Sequence, residues 1–262
     1  MKIVSHPSDA PVSTAANPSS AAQDSIVVVP TYNEADNLAA LAHRVLAAGP
    51  FDMLIVDDNS PDGTGRIADT LARRFAPRVA VIHRPGKLGL ASAYVAGFRF
   101  ALEHGYAWIF EMDADFSHSP TSLAALRAAL DDADVVLGSR HVPGGSSPGS
   151  NVWRRALSRA GSWYAARALG LPFADLTSGF KGFRRDAIAS LDLAAIRANG
   201  YCFQIETTYR LRQAGRRIVE VPICFESRRA GRSKLDSRII AEALLLVWQL
   251  RQQAPRPIEV SS

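Results

Sequence analysis

Asp113 and Asp115 stand one residue apart, directly after an apolar run over residues 107–112. In an extended chain residues i and i+2 point the same way, so a strand ending here would set both carboxylates on one face. Such a pair suits a hard divalent cation, which prefers oxygen ligands and can bridge to a diphosphate. The same residues also read as a solvated acidic turn, so their surroundings decide. Two more apolar runs end in polar residues: Pro30-Thr31-Tyr32-Asn33-Glu34 closes the first and Val56-Asp57-Asp58-Asn59-Ser60 the second. Open α/β sheets bind ligands at the carboxyl ends of their strands, so the three segments would share one edge. Neighbouring acids point to opposite faces, which leaves one of Asp57 and Asp58 to meet a ligand. An acid there can accept from a nucleobase or ribose. Tyr32 packs into the core or, as its position favours, against the base.

A second group is basic. The stretch Ser227-Arg228-Arg229-Ala230-Gly231-Arg232-Ser233-Lys234 is a loop with a glycine for mobility. Arg228 and Lys234 can reach phosphates from opposite ends, and a departing diphosphate needs its charge neutralised. Otherwise the loop is an ordinary solvated basic surface. Arg140, just after the apolar run Val135-Val136-Leu137, is a similar candidate at the mouth.

The elements that must carry these groups alternate. Apolar runs at 26–29, 53–56, 79–82, 107–112 and 134–137 read as buried strands. Between them, helical spacing predicts helices after Asn33, which can cap the first, over 67–75, over 90–104 and through Leu123, Leu126 and Leu130. This alternation implies an α/β fold: a mixed, mostly parallel sheet flanked by helices, with a Rossmann-like nucleotide-binding half. No G-x-G-x-x-G follows the first strand, which argues against a dinucleotide-binding dehydrogenase. After residue 140 come a Gly/Pro/Ser loop, a basic helix over 152–169, a strand near 179–183 and a helix over 203–213. A strand over 218–225 follows, placed near an edge by Pro222. The apolar pattern of 239–250 gives a closing helix, too polar to span a bilayer but suited to lie in an interface or to pack on a core. The expected organisation is a disordered tail over 1–24, a domain over 25–237, and an amphipathic helix with its tail over 238–262.

The net charge of +5 favours anionic partners, although arginine usage alone could produce it, since Lys occurs only at positions 2, 87, 181 and 234. Nucleic acid is the weakest such partner: no binding module is recognisable, and the acids at the strand ends repel phosphates without a metal. Cys202 and Cys224 are expected to be buried free thiols, as in a reducing compartment, and form no zinc site. No signal peptide and no apolar run of about 20 residues is visible, so a cytoplasmic protein that does not span a bilayer is expected.

With these residues in hand, the chain resembles the inverting family-2 glycosyltransferases of GT-A fold, most closely the dolichol-phosphate and polyprenol-phosphate mannose synthases. The segments already quoted carry the resemblance. They are joined in order by Lys87-Leu88-Gly89-Leu90, Glu111-Met112-Asp113-Ala114-Asp115-Phe116-Ser117-His118, Gly138-Ser139-Arg140, Thr177-Ser178-Gly179-Phe180, Gly200-Tyr201-Cys202-Phe203-Gln204-Ile205-Glu206 and Gly231-Arg232-Ser233-Lys234-Leu235.

The resemblance implies roles. Pro30, Tyr32, Glu34, Val56 and Asp58 would line the nucleotide pocket, with Ala114 touching it through its backbone. Asp113, Asp115 and Ser117 would hold Mg2+ or Mn2+. Asp115, Arg228 and Lys234 would carry catalysis, the last two closing over the diphosphate. Arg140 and Arg154 would meet the acceptor phosphate, and Gln204 and Glu206 the sugar. One departure touches Arg154: the Asn-Trp-Pro stretch usual ahead of the acceptor helix reads Asn151-Val152-Trp153 here. The implied reaction moves mannose from GDP-mannose to a polyprenyl monophosphate. The alternatives are another donor such as UDP-glucose, a non-lipid acceptor, or a silent nucleotide-binding subunit. A lipid acceptor implies peripheral contact with the cytoplasmic face of a membrane, made directly or through a membrane-embedded partner.

Overall fold

The structure of the chain, a computed structural model, describes residues 23–149, 152–196, 198, 200–226 and 237–253. Residues 1–22 of the expected tail, and the basic loop with Arg228 and Lys234, lie outside the described residues. The first half runs β1 (Ser25–Thr31), α1 (Ala35–Ala47), β2 (Phe51–Asp57), α2 (Thr64–Arg74), β3 (Val79–His83), α3 (Leu90–Glu103) and β4 (Trp108–Glu111). β1 lies between β2 and β4, β2 also pairs with β3, and all three pairings are parallel. Period-2 alternation sends Ile26 and Val28 to one face, where Tyr94 and Phe98 of α3 pack. It sends Val27 and Val29 to the other, against Leu38, Leu41 and Val45 of α1. Both faces are therefore covered, as a continuous β-branched strand requires. α3 comes so close to β1 that a Cβ at Gly97 would collide with Val28.

The second half adds α4 (Leu123–Ala129), β5 (Val135–Ser139), α5 (Val152–Leu169), β6 (Lys181–Arg184), α6 (Arg185–Ala189), α7 (Tyr201–Gln213), β7 (Ile218–Pro222) and α8 (Ser237–Gln253). β6 inserts antiparallel between β4 and β5, and β7 pairs parallel with β5 at the edge, giving the order β3-β2-β1-β4-β6-β5-β7. The sheet is mixed and mostly parallel, as expected. α8 packs on α5 and α7 and buries Val247 and Leu250, while Leu244, Leu245 and Trp248 stay exposed. Among the described residues no helix is long and apolar enough to cross a membrane.

Four expectations need correction. Asn33 does not cap α1: it sits at φ +62°, and the helix start takes its partners from the β2–α2 turn instead. There the Glu34 N–H donates to Thr64 Oγ1 and the Ala35 N–H to Asp62 Oδ2. Cys202 is buried but Cys224 is exposed, because its neighbour Ile223 takes the buried side of the chain. The last strand ends at Pro222 rather than at residue 225. Finally, β4 stops at Glu111, so Asp113-Ala114-Asp115 occupies a turn and not an extended strand end.

Candidate active site

The polar ends of β1, β2 and β4 meet at one edge because those strands are neighbours. Asp57 is the structural member of its pair. Its carboxylate accepts from Thr31 Oγ1 (3.1 Å), Ser60 Oγ (2.6 Å) and the Ser60 N–H (3.1 Å), tying the end of β2 to that of β1. Asp58 turns the other way. It pairs with Arg84 at 2.8 Å and accepts the N–H groups of Leu88 and Gly89. Burial pushes its carboxyl above the ordinary range, and Arg84 and the two N–H donors pull it back. Arg84 also donates to Gly89 O and Ser92 Oγ, so it organises the Lys87-Leu88-Gly89 turn. Sequence reasoning missed Arg84; its place directly after β3, on the same edge, was the available signal.

Tyr32 is 36% exposed, and Lys87 Nζ lies 4.0 Å from its ring centroid, so this aromatic is no core residue. Glu34 holds the Asn37 side chain (2.8 Å). Val56 is fully buried in the core, while Pro30 is half-buried.

In the turn after β4, Asp115 accepts the Ser117 N–H at 3.0 Å, an Asx turn that fixes its carboxylate. Asp113 is the more open of the two, with 29% of its side chain exposed against 8% for residue Asp115. Tyr94 hydroxyl lies 3.4 Å from Asp113 Oδ1. The Asp113 N–H donates to His118 Nδ1 (3.3 Å), and the His118 ring stacks on Phe180. Ala114 is buried. Ser117 Oγ is buried without a hydrogen-bond partner among the described residues. A methyl at Gly179 would touch the Asp113 carboxylate and Gln204 Nε2 at 3.5 and 3.6 Å, so the turn, the Gly179 segment and α7 converge. Among the described residues no three His, Cys, Asp or Glu side chains cluster. Two carboxylates nevertheless fit Mg2+ or Mn2+, since such ions take one or two protein carboxylates and complete their shell with substrate phosphates and water.

Beneath the turn, Glu111 and Lys181 are fully buried cross-strand partners. Burial pushes the Glu111 carboxyl up and the Lys181 ammonium down, and each charge partly restores the other. Lys181 donates to Gln204 O at 2.7 Å and to Thr208 Oγ1 at 3.0 Å, anchoring the start of α7. Gln204 is buried. Glu206 pairs with Arg210 (2.7 Å) and accepts the Ala198 N–H, which holds the segment before α7. Arg140 meets Asp175 through two N–H···O bonds of 2.7 Å. Arg154 lies in α5 with its side chain outside the described set.

The last described residue before the basic loop lies beside the Asp113–Asp115 turn: the Glu226 N–H donates to Ser117 O at 3.0 Å. Phe225 forms a bridge with His118. In the sequence Arg228 follows Glu226 by two residues.

The family model for glycosyl transferase family 2 matches residues 26–191, a span that contains this entire edge. The chain belongs to that family. Like other members it is a glycosyltransferase of GT-A fold. It is 47% identical over 228 residues to the undecaprenyl-phosphate mannosyltransferase of Micrococcus luteus, covering 86% of this chain and 93% of that one. It is 44% identical over 239 residues to the polyprenol monophosphomannose synthase of Mycolicibacterium smegmatis, covering 89% and 90%. Among solved structures, a mannosyltransferase of Pyrobaculum calidifontis in complex with GDP-Man and Mn2+ superimposes with a TM-score of 0.62 at 18% identity, covering 94% of this chain and 69% of that one. Glucosyl-3-phosphoglycerate synthase of Mycobacterium tuberculosis, in complex with Mn2+, UDP and its product, gives 0.61 at 19% identity, covering 89% and 81%. At that identity the likeness speaks for the fold.

Proposed function

We propose that this glycosyltransferase moves mannose from GDP-mannose to a polyprenyl monophosphate and inverts the anomeric carbon, giving a β-linked lipid phosphate sugar. The observation that carries this is the 47% identity to an undecaprenyl-phosphate mannosyltransferase along 93% of that enzyme, joined to a complete strand-end cluster in this chain. Asp58 accepts from the nucleoside, Tyr32 packs on the base, and Pro30, Glu34, Val56 and the Ala114 backbone shape the pocket around it. Asp113, Asp115 and Ser117 are the proposed metal-binding residues; a divalent cation held there neutralises charge on the diphosphate. Arg228 and Lys234 close over the leaving group, Gln204 faces the sugar, and Glu206 holds the segment beside it.

The acceptor needs no strong general base. A phosphate monoester, with its second pKa of about 6, is already mostly dianionic at neutral pH. Arg140 and Arg154 orient it, and the chain's contribution is alignment and charge stabilisation.

Membrane contact is part of the reading. On α5, Trp153, Leu157 and Tyr164 fall on one exposed stripe at helical spacing, opposite buried Ser162 and Ala165. Exposed Arg167 flanks it, and exposed Arg155 and Arg159 lie further round the helix. Together with Leu245 and Trp248 of α8 this suits the interface of an anionic bilayer, which supports a peripheral position on the cytoplasmic face. Incubation with GDP-mannose, polyprenyl phosphate and Mn2+, followed by NMR of the product, tests the stereochemistry. A β-mannosyl phosphate supports inversion; an α-linked product refutes it.

A further inference from the structure

Asp175 is fully buried in the loop ahead of β6, and its carboxylate accepts mainly from Arg140, with one further bond from Thr177 Oγ1 at 3.2 Å. Asp175 Oδ2 accepts from Arg140 Nε at 2.7 Å and from the Arg140 backbone N–H at 3.1 Å; Oδ1 accepts from Nη2 at 2.7 Å. Thr177 Oγ1 accepts a further bond from Nη2 at 2.9 Å, and the Phe225 ring centroid lies 4.9 Å from the guanidinium carbon. The clamp is itself held: Glu220 on β7 accepts the N–H groups of Ala174 (2.8 Å) and Asp175 (3.0 Å). Ser158 of α5 lies within 3.5 Å of both Thr177 Oγ1 and His141 Nε2. The same loop continues to Gly179, which abuts the Asp113 carboxylate. One short segment thus grips Arg140 at one end and touches the metal turn at the other.

We infer that Asp175 is a positioning residue for the acceptor. It fixes the plane and reach of the Arg140 guanidinium relative to Asp113, so that an incoming phosphate monoester meets an oriented donor rather than a mobile cation. This rests on the function proposed above. A bidentate carboxylate cancels Arg140's net charge while fixing its geometry. The clamp therefore contributes through alignment, and its loss falls on the acceptor that Arg140 meets and not on the nucleotide, whose pocket is built at the ends of β1, β2 and β4. A carboxylate buried only for stability would gain little from such a pair, because desolvation offsets most of the attraction.

The test is steady-state kinetics of Asp175→Asn with the two substrates varied separately. Asparagine keeps the shape and removes the charge-assisted fork. The expected result is an acceptor KM at least 10-fold higher, with KM for GDP-mannose within 2-fold of the parent. Equal rises in both KM values, or an unchanged acceptor KM, overturn the inference. Thr177→Val, which removes the Nη2 acceptor and the hydroxyl bond to Asp175 Oδ1 but leaves the ion pair, gives the same readout if Asp175→Asn does not fold. Its expected effect is an acceptor KM about 3-fold higher, and no change counts against the clamp. An unmodified enzyme that never transfers mannose to polyprenyl phosphate refutes the function instead. An active enzyme with an Asp175→Asn variant of parental acceptor KM refutes the positioning role alone.

Discussion

Asp58 and Arg84 meet at 2.8 Å with less than a tenth of either side chain exposed. A charge pair so placed is costly to break, because the survivor remains buried and uncompensated. Arg84→Ala should lower unfolding free energy by about 3–5 kcal/mol and loosen the Leu88–Gly89 turn, raising the donor KM. Urea denaturation checks the first effect; an unchanged midpoint and slope would contradict the arrangement.

The metal reading predicts that Asp115→Ala loses activity by on the order of 100-fold or more, as for loss of one preorganised electrostatic group. It also predicts weaker Mn2+ binding in the presence of GDP, read by water-proton relaxation. Full activity without any divalent cation would sink the assignment.

Asp52, far from the site at the start of β2, offers a pH test of the fold. Burial raises its carboxyl from 3.8 to about 6, against the pull of the Tyr106 hydroxyl (3.1 Å) and Arg78 (3.8 Å). The native state therefore holds this proton more tightly than the unfolded chain. The group's contribution is greatest below pH 3.8 and is lost as pH rises to about 6. Asp52→Asn should remove that slope, so its stability relative to the parent should improve by about 3 kcal/mol between pH 3.8 and 7. Parallel stability–pH curves for the two proteins would argue that Asp52 is not perturbed.

For the membrane surface, Trp153→Ala with Trp248→Ala should reduce flotation on anionic vesicles roughly 100-fold, at about 1.5 kcal/mol for each exposed indole that no longer inserts. Raising salt should weaken the parent's binding through Arg155, Arg159 and Arg167. Flotation that ignores both changes would assign this face to a protein partner or to none.

The strand–helix rhythm and the three strand-end segments were legible because β-branched runs and helical spacing are local signals. The strand order was not: nothing local marks Lys181–Arg184 as the strand that slips antiparallel between β4 and β5. The same limit hid Arg84 and Asp175, whose partners lie 26 and 35 residues away at Asp58 and Arg140. Asn33 misled because its type suits an N-cap, while the actual donors' partners come from Asp62 and Thr64 across a tertiary contact. The aspartate motif was found for a partly mistaken reason. An Asx turn fixes Asp115 and a bond from the Asp113 N–H to His118 fixes the backbone beside it; strand alternation plays no part.

The central claim is the pairing of donor and acceptor. It is tested most directly by presenting the purified protein with polyprenyl phosphate, Mn2+ and a panel of nucleotide sugars, and analysing the lipid fraction. The account predicts a mannosylated lipid phosphate from GDP-mannose and little product from UDP-glucose. No product from GDP-mannose, with glycolipid formed from a UDP-sugar, would contradict it.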